Sequence, residues 1–147
     1  MHNLAIIDIG SNSMKMVLAE VKKGHSFNII DELKETVRLG KGMTEEKKLR
    51  QDRMDKALQT LRMFKDLCDA NNTKEIITVA TAAVREANNR QHFLDRVQNE
   101  IGLDVEVLSG IDEGYYDYWG VANSIDREEG LIMDIGGGSI ELVWMKD

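Results

Sequence analysis

One twelve-residue pattern occurs twice in this chain and constrains its fold more than any other feature. Ile6, Asp8, Ile9, Gly10, Ser13 and Val17 recur in the same order as Ile132, Asp134, Ile135, Gly136, Ser139 and Val143. Each copy is an apolar run, a turn of small residues and a second apolar run, which predicts a β-hairpin. Gly, Ser and Asn allow the amides of such a turn to face one concavity, where an anion fits. The acid that ends the first strand can hold a cation or a water beside that anion. Two such turns face to face would clamp a phosphate chain. One Asp-x-Gly hairpin alone carries little weight, because Asp and Gly favour turns for backbone reasons. The second copy is stronger. Gly136, Gly137 and Gly138 cost backbone entropy and bring no packing, so they point to close approach of a ligand.

The 147 residues suffice for one domain, or one domain and a piece of another. No apolar run is long enough to span a bilayer, and Met1 leads straight into a strand, so neither a membrane segment nor a signal peptide is expected. The single cysteine, Cys68, rules out a disulfide framework and falls on the apolar stripe of a predicted helix. The three histidines are scattered, without zinc spacing. A net charge of −7 argues against nonspecific nucleic-acid binding. That charge is uneven, +4 over residues 1–65 and −11 over 66–147. The basic excess at Lys22, Lys23, Lys34, Arg38, Lys41, Lys47 and Lys48 could guide a polyanion. Interleaved acids favour an ordinary solvated surface instead.

Strands are predicted at 4–9, 14–22, 26–37, 75–81 and 105–108. Helices are predicted from Thr44 to Asn71, over a stretch carrying Ala83 to Ile101, and from Asp112 to Ser124. This order predicts an α/β fold of ribonuclease H-like type, a mixed five-stranded sheet with helices on both faces. At about residue 130 the opening hairpin starts again. The expected organisation is a first lobe over 1–125 and the first hairpin of a second lobe over 126–147. A hairpin with so few strands has open edges, so the isolated chain is expected to fold, to self-associate and to be nearly inactive.

Taken together, these motifs resemble the exopolyphosphatase / guanosine pentaphosphate phosphohydrolase (Ppx/GppA) family of the actin-like ATPase, sugar kinase and 70-kDa heat-shock superfamily. The resemblance lies at Asp8 to Ser13, Val37 to Gly40, Ala80 to Asn88, Leu108 to Gly110 with Glu113, Gly120-Val121, and Asp134 to Ser139 with Glu141. It implies release of terminal phosphate from inorganic polyphosphate or guanosine pentaphosphate. Glu113 would be the catalytic base and Arg85 a phosphate-binding catalytic residue. Ser11, Asn12, Ser13, Gly136, Gly137, Gly138 and Ser139 would hold phosphates. Asp134, Glu141 and Asp8 would hold Mg2+. A cytoplasmic homodimer without DNA or membrane partners is the expected setting. Other readings are an ATP-dependent kinase or ATPase of the superfamily, and a non-catalytic polyphosphate- or alarmone-binding module.

Bland readings exist for each of these residues. Asp112 and Glu113 suit a helix N-terminus, where the dipole would lower the pKa of Glu113. Arg85 and Glu141, taken alone, suit solvent-facing positions. The run Asp112-Glu113-Gly114-Tyr115 departs from the family's usual Glu-Glu-Ala, and Gly114 is expected to weaken the helix start.

Overall fold

The computed structural model describes residues 1–24, 26–43, 45–126 and 129–146. Strands β1 (His2–Ile9), β2 (Ser13–Val21) and β3 (Phe27–Thr36) open the chain, followed by helix α1 (Gln51–Ala70) and strand β4 (Glu75–Ala80). Then come α2 (Ala82–Arg85), α3 (Arg90–Ile101), β5 (Val105–Val107), α4 (Gly110–Ala122), β6 (Gly130–Ile135) and β7 (Ile140–Met145). Five strands form one sheet in the order β3-β2-β1-β4-β5, and β6 and β7 form a second. β1 pairs antiparallel with β2 and parallel with β4, and β4 pairs parallel with β5. The first sheet is therefore mixed, as the strand–helix order predicts.

Alternation along the strands sends Ala5, Ile7 and Ile9 of β1, and Met14, Met16 and Leu18 of β2, to one fully buried face. Against that face α1 lays Leu58, Leu61, Phe64 and Cys68, and α3 adds Phe93 and Val97. Cys68 is buried and free, as its place on the stripe predicts. On the opposite face Ile6 and Ile77 stay partly exposed. β3 is an edge strand, and its Phe27 and Ile29 are mostly exposed. Val37, the last residue of the predicted strand, and Leu39 lie beyond β3 and are fully buried.

α1 starts at Gln51, seven residues after the predicted start at Thr44, which itself lies outside the described residues. The intervening segment is held by partners from far along the chain. Asn89 donates from Nδ2 to the Leu49 carbonyl at 3.0 Å and accepts from the Leu49 amide at 2.9 Å. The Asn88 side chain donates to the Glu46 carbonyl at 2.7 Å. These bonds occupy backbone groups that a helix would have used. The predicted helical stretch from Ala83 to Ile101 divides into α2 and α3 around these same two asparagines.

α4 begins in a capping box. The Ser109 hydroxyl accepts from the Asp112 amide, and the Asp112 carboxylate accepts from the Ser109 amide. This box offsets the helix weakness expected at Gly114. Gly114 has a positive use, because it is buried where α4 crosses the second sheet. A methyl there would lie 3.1 Å from Cγ2 of Val143 on β7.

Candidate functional site

The first turn, between β1 and β2, is held from behind. The Gly40 amide donates to the Ser11 carbonyl at 2.9 Å, and the Val37 and Arg38 amides donate to the Asn12 carbonyl at 3.1 and 2.7 Å. The Val37-Arg38-Leu39-Gly40 motif is thus a bracket: two apolar anchors in the core and three amides on the turn. Arg38 adopts a left-handed backbone, φ 56°, to make it. The Ser11 hydroxyl faces the other way, accepting from the Ala83 amide at 3.1 Å at the start of α2.

The second turn, between β6 and β7, touches the first. A methyl on Gly137 would fall 2.8 Å from Asn12 Cβ and 3.0 Å from Asn12 N, and one on Gly138 would fall 2.5 Å from Ser11 Oγ. The close approach foreseen for this glycine run is therefore an approach of turn to turn at two of its three positions. The two turns do face each other, as the repeat suggests.

Both turns line one cavity of about 440 Å3. Ser11, Asn12, Ser13, Gly136, Gly137, Gly138 and Ser139 contribute, together with Asp8, Glu113, Asp134 and Glu141. Of the residues expected to act as base, phosphate ligand or metal ligand, only Arg85 does not line it. Two cations also line it: Lys34, part of the basic excess noted in the sequence, and Lys15, which has no place among the expected site residues. They are opposed partners on β2 and β3, and Lys15 is also opposed to Asp8 across β1 and β2. Strand alternation puts Lys15 on the face of Ser13, a signal present in the sequence. A second cavity, of about 670 Å3, shares Ser11, Asn12, Gly137 and Gly138 and adds Arg38, Lys41 and Lys47. Part of the basic excess near the N-terminus is thus gathered beside the turns, although Lys47 is paired with Glu86 at 3.2 Å.

Arg85 sits behind Glu113. Its Nη1 donates to the Leu108 carbonyl at 3.0 Å and also to the Glu113 carboxylate. Its guanidinium braces the corner from β5 into α4 and reaches the cavity only through that carboxylate. Glu113 lies in the first turns of α4, yet its carboxyl is pushed above its ordinary value of 4.5. Burial is the largest cause, Arg85 works against it, and the charges of Glu141 and Asp8 add to it. Burial here outweighs the lowering expected from the helix N-terminus. Asp8 is raised as well, mainly by burial, with Lys15 opposing and Asp134 adding. One of its carboxylate oxygens is buried without a hydrogen-bond partner.

Asp134 and Glu141 are opposed across the β6–β7 hairpin. Asp117 of α4 joins them, each of the three offering an oxygen within 4.8 Å of the others'. Glu141 is 9% exposed, and Asp117 Oδ2 is buried without a partner. An all-oxygen anionic donor set of this kind fits a hard divalent cation such as Mg2+. Asp8 lines the same cavity but stands outside this group of three.

The sequence profile of the Ppx/GppA phosphatase family matches residues 7–147. A bifunctional 3-dehydroquinate synthase/phosphatase of Fusobacterium nucleatum is 34% identical over 93% of this chain and 22% of its own length. A Ppx/GppA family member of Aquifex aeolicus is 40% identical with a TM-score of 0.86, covering 99% of this chain and 47% of its own. An exopolyphosphatase of Cytophaga hutchinsonii is 31% identical with a TM-score of 0.93, again over 99% of this chain and 47% of its own. The chain spans less than half the length of each of these relatives. The structural likeness bears out the ribonuclease H-like, actin-like fold. Among the described residues, no helix is long and apolar enough to cross a membrane.

Proposed function

Because the chain belongs to the Ppx/GppA phosphatase family, we propose that its cavity serves a hydrolase that releases the terminal phosphate of inorganic polyphosphate, guanosine pentaphosphate or both. One observation carries this reading: two amide-rich turns in contact, two lysines and the Glu113 carboxylate line a single cavity. Phosphoryl transfer needs charge neutralisation, in-line positioning and a base for the attacking water, and these groups answer those needs.

Amides of Ser11 to Ser13 and of Gly137 to Ser139 hold the terminal phosphate, while the Gly136 amide closes its own turn on the Ser139 carbonyl at 3.0 Å, and Lys15 and Lys34 offset the phosphate charge. Glu113 accepts a proton from the water whose oxygen attacks the terminal phosphorus. The bridging P–O bond breaks, and its electron pair leaves on the shortened chain. Glu113 must be ionised for this step, and Arg85 holds it in that form and in that place. Mg2+ held by Asp134 and Glu141, when bound, would supply further neutralisation of phosphate oxygens. The amides and cations of the cavity recognise a phosphate chain as such, so the reading extends to both substrates. The cytoplasm is the expected compartment, with the free thiol of buried Cys68 in keeping with reducing conditions. A homodimer is the expected assembly, which light scattering on the complete protein checks.

The test is phosphate release from each substrate by the complete protein and by its Glu113→Gln variant. Loss of the base should lower turnover by about a hundredfold or more and leave substrate binding in place. Wild-type turnover in the variant, or ADP formation from ATP in place of phosphate release from either substrate, would overturn the reading.

A further inference from the structure

Asp117 has no part in the sequence reading, and its surroundings are unusual. It lies one helical turn beyond Glu113 on α4, so both carboxylates project from one face of that helix. That face meets the β6–β7 hairpin, where Asp134 and Glu141 already stand opposed. Like charges directly opposed on neighbouring strands destabilise a sheet. Here a third is brought within 4.8 Å of both. Glu141 is nine-tenths buried, at 9% exposure, and makes no hydrogen bond or ion pair among the described residues. Asp117 Oδ2 is shielded from solvent and likewise unpartnered. Buried carboxylate oxygens are normally satisfied by donors, by cations or by metals. Lys15 and Lys34 line the cavity but form no ion pair with these three acids.

We infer that Asp117 is a third protein ligand of the divalent cation site, and that this site binds its cation before any phosphate arrives. The distinction is chemical. Mg2+ is commonly held by one or two carboxylates and completes its shell with substrate phosphates and water. Two opposed acids on a hairpin make a site of that kind, open and dependent on the substrate. A third carboxylate from a different element closes one side of it and balances the cation's charge without phosphate. It also ties α4 to the hairpin, and so fixes the separation between Glu113 and the second turn. The role of this cation in turnover rests on the hydrolase reading above, but its binding does not.

The experiment therefore measures binding without substrate. Mn2+ is titrated into the complete, metal-stripped protein, and free Mn2+ is followed by paramagnetic resonance. Wild type, Asp117→Asn, Asp117→Ser and Glu141→Gln are compared. Altering a group that only orients a ligand costs tenfold to a hundredfold in metal affinity, so loss of Asp117 should weaken Mn2+ binding at least about tenfold. Each Asp117 variant should melt, metal-free, no lower than wild type, because a like charge has been removed. A merely structural Asp117 would instead lower that midpoint. Mn2+ affinity unchanged in both Asp117 variants, with loss in Glu141→Gln, would overturn Asp117 as a ligand. No Mn2+ binding by wild type without substrate would overturn the preformed site. Binding that depends on Asp117, in a protein that hydrolyses neither substrate, would leave this inference standing and remove the hydrolase reading.

Discussion

Replacing Gly137 by alanine tests the contact on which the whole site depends. The new methyl carbon would start 2.8 Å from Asn12 Cβ and 3.0 Å from Asn12 N. Carbon atoms settle at about 3.5–4.0 Å, so the turns would have to part by about 0.7–1.2 Å. Neither side yields easily. Asn12 N is backbone, and the Asn12 carbonyl is held by two amides of the 37–40 bracket. Overpacking of this kind costs about 1–3 kcal/mol. The functional effect should be larger than the stability effect, since a displacement of about 1 Å costs on the order of a hundredfold in rate. The assay is phosphate release by the complete protein, paired with a thermal melt. Gly120→Ala is the control. A methyl at Gly120 in α4 meets nothing within 4 Å, and alanine there should stabilise the helix by about 0.8–1.0 kcal/mol. Full turnover in Gly137→Ala, together with an unchanged melting midpoint, would refute the account of the turns as a close-fitted pair.

Arg85→Met should move the acid limb of the kcat–pH profile upward. Arg85 lowers the Glu113 pKa against the burial that raises it, so its removal lets the carboxyl protonate at higher pH. An acid limb that stays in place would show that Glu113 is not the group being titrated. Asp8→Asn should stabilise the metal-free protein at neutral pH, as read by chemical denaturation. The folded pKa of Asp8 lies above its ordinary 3.8, so its contribution is full below 3.8 and is lost as pH rises through the folded value. The advantage of the variant should therefore vanish in acid, and an advantage equally large below that pH would exclude titration as its source.

The residues legible in the sequence were those whose types repeat or whose spacing is local. The two turns announced themselves by repetition. Glu113 stands out because the motifs around it resemble a family. Residues whose meaning depends on a third element were not legible. Lys34 acquires its place from the pairing of β3 with β2. Asp117 acquires its place only when α4 lies on the hairpin. The start of α1 was misread because Asn88 and Asn89, some forty residues downstream, take up the backbone groups of residues 46–49. No local signal near Thr44 reports that. Arg85 was read as a phosphate ligand from chemistry that fits equally well the carboxylate it holds.

The seam where Ser11 and Asn12 meet Gly137 and Gly138 also has a kinematic meaning. When two rigid pieces turn about a point of contact, atoms at the contact hardly move, while others move in proportion to their distance from it. The amides proposed to hold phosphate lie at this seam. Lys15 and Lys34 lie out along one piece, and Asp117 and Glu113 out along the other. A small rotation of α4 and its hairpin against the five-stranded sheet would spread those side chains and leave the turns in register. Such a rotation would widen the mouth of the cavity and leave the two turns in contact, which would suit the phosphate chain proposed as substrate. Arg85 on the sheet side and Glu113 on the helix side form a link across that motion. Breaking and remaking their ion pair would couple the width of the mouth to the protonation of the base.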